Sequence, residues 1–493
     1  MGSNSKRSTT GIKGLDFILG GGLPRDKFYL VQGNPGVGKT TLALQFLLEG
    51  AQAGETGLYF TLSETKTELQ VIAASHNWSL ESVHIFELSN IEKELSGENQ
   101  NTVFHPSELE LNQTINVLLQ QVERIKPARI VFDSLSEMRL LAQSALRYRR
   151  ELLSLKHYFA GLNSTVLLLD DLTSETGDLQ VQSIAHGVIL LSKVLSDYGT
   201  VRHELEILKV RGVKFQLGRH DYLINTGGVE VFPRLVAAAH RTEFKKQSFS
   251  SGLPGLDAML GGGLDRGTSS VFMGPAGAGK STLALSFVAE AARRGETAAI
   301  FAFDENIGLS LNRSVALGAD FSSAISNGTV YCEQVDPAEQ SAGELAWKIK
   351  QLVEERQLKL LVIDSMNGYL NAMPGERTLL LHLHELLSYL SNCGVITILT
   401  LAQHGLIGYM ETPIDLTYLG DTVLLMRFFE YEGSIRKAIS VVKKRSGTHE
   451  SQIREFKTGN GKIDVGGQLN SFQGILTGTP SMRLTKVQNN VEQ

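Results

Sequence analysis

The sequence predicts an α/β protein of two tandem domains, each a mostly parallel sheet flanked by helices. Three observations carry that expectation. The stretch TGIKGLDFILGGGLPRDKFYLVQGNPGVGKTTLALQF, from Thr10, returns as SSGLPGLDAMLGGGLDRGTSSVFMGPAGAGKSTLALSF, from Ser250, with Ser251 matching Thr10. In each copy, short apolar runs alternate with helical patterns, as buried parallel strands covered on both faces require. Each copy also carries a glycine-rich GxxxxGK[ST] loop between a strand and a helix.

The elements follow in the same order in both halves. KFYLVQG and SSVFMG read as strands, followed by the helices TTLALQFLLEGAQ and STLALSFVAEAAR. LYFTL and AIFAF are the next strands, then a long helical region, then RIVFD and LLVID. Lys39 and Glu64 stand 241 residues before Lys280 and Glu305, so the register is ungapped there. Asp133 precedes Asp364 by 231 and Lys209 precedes Lys443 by 234, a drift that small deletions explain. A period this long marks a domain rather than a solenoid unit. Periodicity fades within residues 233–252, which places the first domain at 1–245 and the second, with a short C-terminal tail, at 246–493.

The loops are Gly33, Asn34, Pro35, Gly36, Val37, Gly38, Lys39 and Thr40, followed by Thr41, and Gly274, Pro275, Ala276, Gly277, Ala278, Gly279, Lys280 and Ser281, followed by Thr282. Their glycines let successive N–H groups curl around phosphates at a helix N-terminus. Lys39 or Lys280 would meet the β/γ oxygens, and Thr40 or Ser281 would ligate Mg²⁺. Asp133 and Asp364 end apolar strands, where a Walker B carboxylate would share the metal. A strand-end aspartate can also cap the next helix. Glu64, and Asp304 with Glu305, end the next strand, where a carboxylate can orient water or accept a hydroxyl proton, or simply cap a helix. Lys209 with Arg211, and Lys443 with Arg445, alternate on a strand and share a face. Such a pair is a solvated edge or a cationic finger for a neighbour's γ-phosphate.

Composition narrows the classes further. With 42% hydrophobic and 20% charged residues this is ordinary globular chemistry. The net charge of -5 offers nothing to draw the chain onto nucleic acid, and RYRRELL, residues 147–153, reads as a solvated helix face. A DNA-dependent ATPase is therefore disfavoured. Cys332 and Cys393 have no metal spacing and read as reduced thiols. His382 and His384 diverge by ~200° on a helix and cannot chelate together. The polar start lacks a signal-peptide core, and no apolar run nears the ~20 residues of a membrane span. The expectation is a cytoplasmic protein without a membrane partner.

Taken in order, GLD…GGGL, P-loop, acidic strand end, Walker B, LEILKVRG and QIREF (452–456) resemble the KaiC family of double-domain, RecA-like ATPases of the cyanobacterial clock. The likeness runs from about Thr10 to about Pro480. It implies a two-tiered homohexamer with ATP between subunits, hydrolysis in the first domain, and serine/threonine autokinase and autophosphatase chemistry in the second. Lys209, Arg211, Lys443 and Arg445 would then act in trans, and a KaiB-like or signalling partner would follow. The chain departs from the pattern in several places. Ser63 replaces the first of a Glu-Glu pair in the first domain, whereas Asp304-Glu305 keeps both charges in the second. The second basic motif reads KKRSG, and the tail after LTGTPS is shorter than the one that engages KaiA. The family's phosphorylated Ser-Thr pair falls on Thr417 and Tyr418, with Thr412 nearby, which makes Thr417 the preferred acceptor; Gln182 and Ser183 hold these positions in the first half. A nucleotide-gated scaffold with little catalysis is the other reading that Ser63 leaves open.

Overall fold

The structure, a computed structural model, describes residues 7–87, 106–142, 144–172, 179–194, 199–371, 376–405, 415–459, 461–476 and 481–482. The chain divides into two compact units, Met1–Arg234 and Leu235–Gln493. The division falls before the 245/246 boundary expected from the sequence, for a packing reason. Leu235 and Ala237 are buried in the second unit's core. The Ala237 N–H donates to Glu385 at 3.0 Å, and Asn392 donates to the Ala237 carbonyl at 3.0 Å. The polar residues that follow are thus tethered to the second unit rather than the first.

In the first unit the sheet strands and the helices used below are β1 (Phe28–Gly33), α1 (Lys39–Gln52), β2 (Gly57–Thr61), α2 (Lys66–Ser75), β3 (Val83–Glu87), β4 (Arg129–Asp133), α3 (Ala145–Ala160), β5 (Thr165–Asp171), α4 (Leu179–Ile184), β6 (Gly187–Val194), β7 (Arg202–Val210), β8 (Arg219–Asn225) and β9 (Gly228–Phe232). The second unit repeats them as β10 (Ser269–Gly274), α5 (Lys280–Arg293), β11 (Ala298–Ala302), α6 (Ile307–Ala316), β12 (Val330–Gln334), α7 (Ala342–Arg356), β13 (Leu360–Asp364), α8 (Glu376–Asn392), β14 (Ile396–Ala402), β15 (Thr422–Tyr431), β16 (Ser434–Lys444), β17 (Arg454–Gly459) and β18 (Lys462–Gln468).

Among the described residues both sheets are nine-stranded and identically ordered: β3-β2-β4-β5-β1-β6-β7-β8-β9 and β12-β11-β13-β14-β10-β15-β16-β17-β18. The strands from β3 through β6 are parallel, and β7–β9 extend the sheet antiparallel. The second unit follows the same rule. The parallel strands are apolar on both faces because helices cover both. Tyr29 and Val31 of β1 join one core with Leu42, Phe46 and Leu47 of α1, while Phe28 and Leu30 join another with Leu152, Leu155 and Phe159 of α3. Val271 and Met273 of β10 join the α7 and α8 leucines, and Phe272 faces α5.

This topology locates the site. From β1 the chain crosses to β2, beyond β5; from β5 it crosses to β6, beyond β1. Between β1 and β5 the connections part, leaving a crevice at the carboxyl ends of the strands, where α/β sheets bind ligands. Among the described residues, no helix is long and apolar enough to cross a membrane.

Candidate nucleotide sites

Each glycine-rich loop leaves the carboxyl end of the central strand, and Lys39 or Lys280 opens the helix behind it. Gly38 and Gly279 take left-handed φ of 86° and 109°. A Cβ there would also lie 2.7 Å from Ile224 Cδ1 and 2.6 Å from Phe456 Cε1. Only glycine fits such a position. Among the described residues no side chain caps either helix start, so its N–H groups remain for an anion. Lys39 Nζ donates to the Gly33 and Asn34 carbonyls at 2.8 and 3.1 Å; Lys280 Nζ donates to those of Gly274 and Pro275, both at 2.9 Å. Burial holds the Lys280 ammonium below its ordinary pKa.

The hydroxyl after each lysine meets the strand-end aspartate. Thr40 Oγ1 donates to Asp133 at 3.2 Å, and Ser281 Oγ to Asp364 at 3.1 Å. A hydroxyl and a carboxylate side by side, below a phosphate cradle, form the oxygen donor set that Mg²⁺ takes when phosphates and water complete its shell. The residues therefore fit Mg-ATP, although no cluster of three or more His, Cys, Asp or Glu occurs among the described residues. A second hydroxyl reaches each aspartate from a different strand: Tyr59 of β2 bonds Asp133, and Thr400 of β14 bonds Asp364. Burial first, against those hydrogen bonds, raises Asp133 above its ordinary pKa.

Neither strand-end glutamate caps a helix. Thr65 and Asn306 do so instead, accepting from the N–H groups of Glu68 and Gly308. Glu64 is half-buried, and among the described residues its Oε2 is buried without a hydrogen-bond partner. Burial, then the charge of Asp133, pushes its pKa up to about 7. Glu305 differs. Both its oxygens accept from Arg313, at 2.7 and 2.8 Å, and one also from Ser310 at 2.8 Å. Burial opposes ionisation, but these hydrogen bonds and the guanidinium charge prevail, holding Glu305 below the usual range. Asp304 accepts from Ser365, beside Asp364. A cleft of about 580 Å³ in the second unit is lined by Lys280, Ser281, Asp304, Glu305, Arg313, Asp364 and Lys437, among others.

The basic pairs lie elsewhere. Lys209 pairs with Val188 and Lys443 with Val423, toward the amino ends of the parallel strands, away from the loops at Gly33 and Gly274. Lys209 Nζ donates to the Gln182 carbonyl, and Arg211 to that of Ser183 at 2.7 Å. Lys443 donates to the carbonyls of Thr417 and Gly420 at 2.8 and 2.7 Å; Arg445 donates to that of Tyr418 at 2.9 Å. The two halves thus hold corresponding positions by the same pattern, and it matches Gln182 and Ser183 to Thr417 and Tyr418. Thr417 Oγ1 donates to Asp415 at 2.6 Å, and Tyr418 is exposed. Thr412 lies outside the described residues.

Sequence reasoning missed Asp171. It ends β5, next to Gly33, and its carboxylate lies 2.6 Å from Lys39 Nζ. Ala402 takes its place beside Gly274. The run LLLDD carried the signal, an acid ending an apolar strand as in RIVFD. Arg313 was missed as well, since only the turn of α6 brings it to Glu305.

The family model described as "ATPase: KaiC" matches residues 8–236 and again 249–470. Circadian clock protein KaiC3 of Synechocystis sp. is 26% identical over 478 residues, covering 96% of this chain and 94% of that protein. Circadian clock oscillator protein KaiC of Prochlorococcus marinus (strain MIT 9313) is 26% identical over 479 residues, covering 96% and 95%. The KaiC of Thermosynechococcus vestitus is 26% identical over 484 residues, covering 97% and 92%. With two P-loops on two like-ordered sheets, and with the family's model matching each half, the chain belongs to the KaiC family of ATPases, as two tandem RecA-like units.

Proposed function

We propose that this protein binds Mg-ATP in both units, hydrolyses it, and autophosphorylates Ser/Thr in the second unit within a homohexameric ring. The observation that carries the reading is the repeated hydroxyl–carboxylate pair, Thr40 with Asp133 and Ser281 with Asp364, below a buried lysine. In the first unit, Glu64 is the base that orients water. In the second, Glu305, with Asp304, takes the proton from an acceptor hydroxyl, for which Thr417 is preferred and Thr412 and Tyr418 are reserves. Bound Mg²⁺ would neutralise phosphate charge, with Thr40 and Asp133, or Ser281 and Asp364, as its protein ligands.

The strand register supports action in trans. Thr417, Lys443 and Arg445 sit toward the sheet edge opposite their own P-loop, so transfer requires a neighbouring subunit's nucleotide. Lys209 and Arg211 serve the first tier in the same way. Since the relatives are named for the circadian clock, a clock-type or other signalling output, with a KaiB-like or signalling partner in the cytoplasm, is the reading adopted. The test is incubation of the full chain with ATP and Mg²⁺, followed by phosphosite mapping and size measurement. Phosphate on Thr417, Thr412 or Tyr418 in a hexamer is expected. ATP consumption with none of these phosphorylated refutes the kinase and leaves the ATPase. A scaffold with little catalysis is the second reading, favoured by the engagement of both Glu305 oxygens. Unchanged turnover in Glu64→Gln and Glu305→Gln would select it.

A further inference from the structure

The two sites treat their glutamates oppositely, and the difference lies in one helix turn. Arg313, on α6, grips Glu305 with both terminal nitrogens, and Ser310 adds a third hydrogen bond. The corresponding first-unit positions, 241 residues earlier, are Ile72 and Leu69, which can offer neither. Among the described residues, Glu64 is accordingly left with an unpartnered oxygen. Arg313 lines the same cleft as Lys280 and Ser281, and among the described residues its Nε is buried without a partner, so the guanidinium is not fully satisfied by Glu305.

We propose that Arg313 is a positioning residue that clamps Glu305 and restrains chemistry at the second site until a nucleotide's phosphates draw the guanidinium away. This rests on the reading of Glu305 as the second site's base. A carboxylate held in a bidentate fork is a weaker proton acceptor, and general-base efficiency follows basicity. The other charged groups lining the cleft around Glu305 are Asp304 beside it, Lys280 on α5, Asp364 on β13 and Lys437 on β16. None of them differs in the test variants.

The experiment measures ADP release by the full chain at Mg-ATP well below KM, from pH 5.5 to 8.5, in a Glu64→Gln background that silences the first site, so that the rate reads the free, still-clamped second site. Arg313→Gln is expected to raise turnover several-fold at pH 7.5 and to move the acid limb to higher pH. Arg313→Lys, keeping charge without the fork, should fall between, and Ser310→Ala should shift the limb less in the same direction. A lower rate with an unmoved limb in both Arg313→Gln and Ser310→Ala overturns the clamp. Glu305→Gln separates the two ideas. If it leaves turnover intact, the assignment of the base fails; if it abolishes turnover while the Arg313 variants leave the limb in place, only the clamp fails.

Discussion

Glu64 provides the sharpest test of the first site. Its carboxyl has a pKa pushed up to about 7, by burial and by Asp133, from an ordinary 4.5. As the proposed base, it is about one-tenth ionised at pH 6 and about nine-tenths at pH 8, so first-site turnover should climb about tenfold across that interval. In a Lys280→Ala background, which silences the second P-loop, Glu64→Gln should lower turnover ~10²–10⁴-fold and flatten the climb. The same group makes a stability prediction of definite sign. For an acid whose folded pKa is raised, the ionised form disfavours folding. That penalty is absent below the unfolded pKa and complete above about pH 7. The full shift would correspond to about 3.4 kcal/mol; Glu64 is only half-buried, and screening reduces this to on the order of 1 kcal/mol. Nucleotide-free, Mg²⁺-free Glu64→Gln should therefore melt about 2–4 °C higher at pH 8, with the gain shrinking toward pH 5. Turnover within twofold of the parent, or a melting gain that grows as pH falls, would refute the reasoning.

Asp171 neutralises Lys39 where Ala402 leaves Lys280 without that partner. Asp171→Asn should tighten ATP binding at the first site about 2- to 5-fold, as relief of a partly exposed ion pair allows, and Ala402→Asp should weaken the second; fluorescent-nucleotide titration reads both. Gly38→Ala and Gly279→Ala force a side chain into left-handed backbone with a contact at 2.7 or 2.6 Å. Each should cost about 1–2 kcal/mol for the backbone alone and abolish nucleotide binding in its own unit, seen by calorimetry. Arg129 is buried and donates to Glu55 and to the Thr9 and Phe46 carbonyls. Arg129→Met should destabilise the first unit by about 3 kcal/mol, measured by thermal melting, without changing ATP affinity of the second.

Much of the site was legible because phosphate binding is written in consecutive residues. A loop, its lysine and its hydroxyl form one local turn, so GNPGVGKT and GPAGAGKS reveal themselves without tertiary information. The strand-end acids were legible as candidates, but whether Glu64 and Glu305 cap a helix could not be read. Thr65 and Asn306 take that role in the folded chain, leaving the acids turned to other partners. The unit boundary was less legible for a similar reason: Leu235 and Ala237 belong to the short apolar run LVAAA, whose periodicity points to neither unit, and only packing against α8 assigns them.

The sequence by itself determined the tandem repeat, the two phosphate loops, the strand-end aspartates and the alternation of buried strands with helices. These rest on local periodicity and on residue types whose chemistry is intrinsic. Tertiary structure alone decided how the sites differ. Asp171 meets Lys39 because β5 happens to lie beside β1, and Arg313 meets Glu305 because a turn of α6 carries it back over the strand end. It also set Lys209, Arg211, Lys443 and Arg445 toward the sheet edge opposite the loops. That follows from antiparallel pairing of β7 and β16, whose registers no run of residues announces. Charges are encoded one at a time along the chain, but which of them neutralise each other depends on strands that are neighbours only in space.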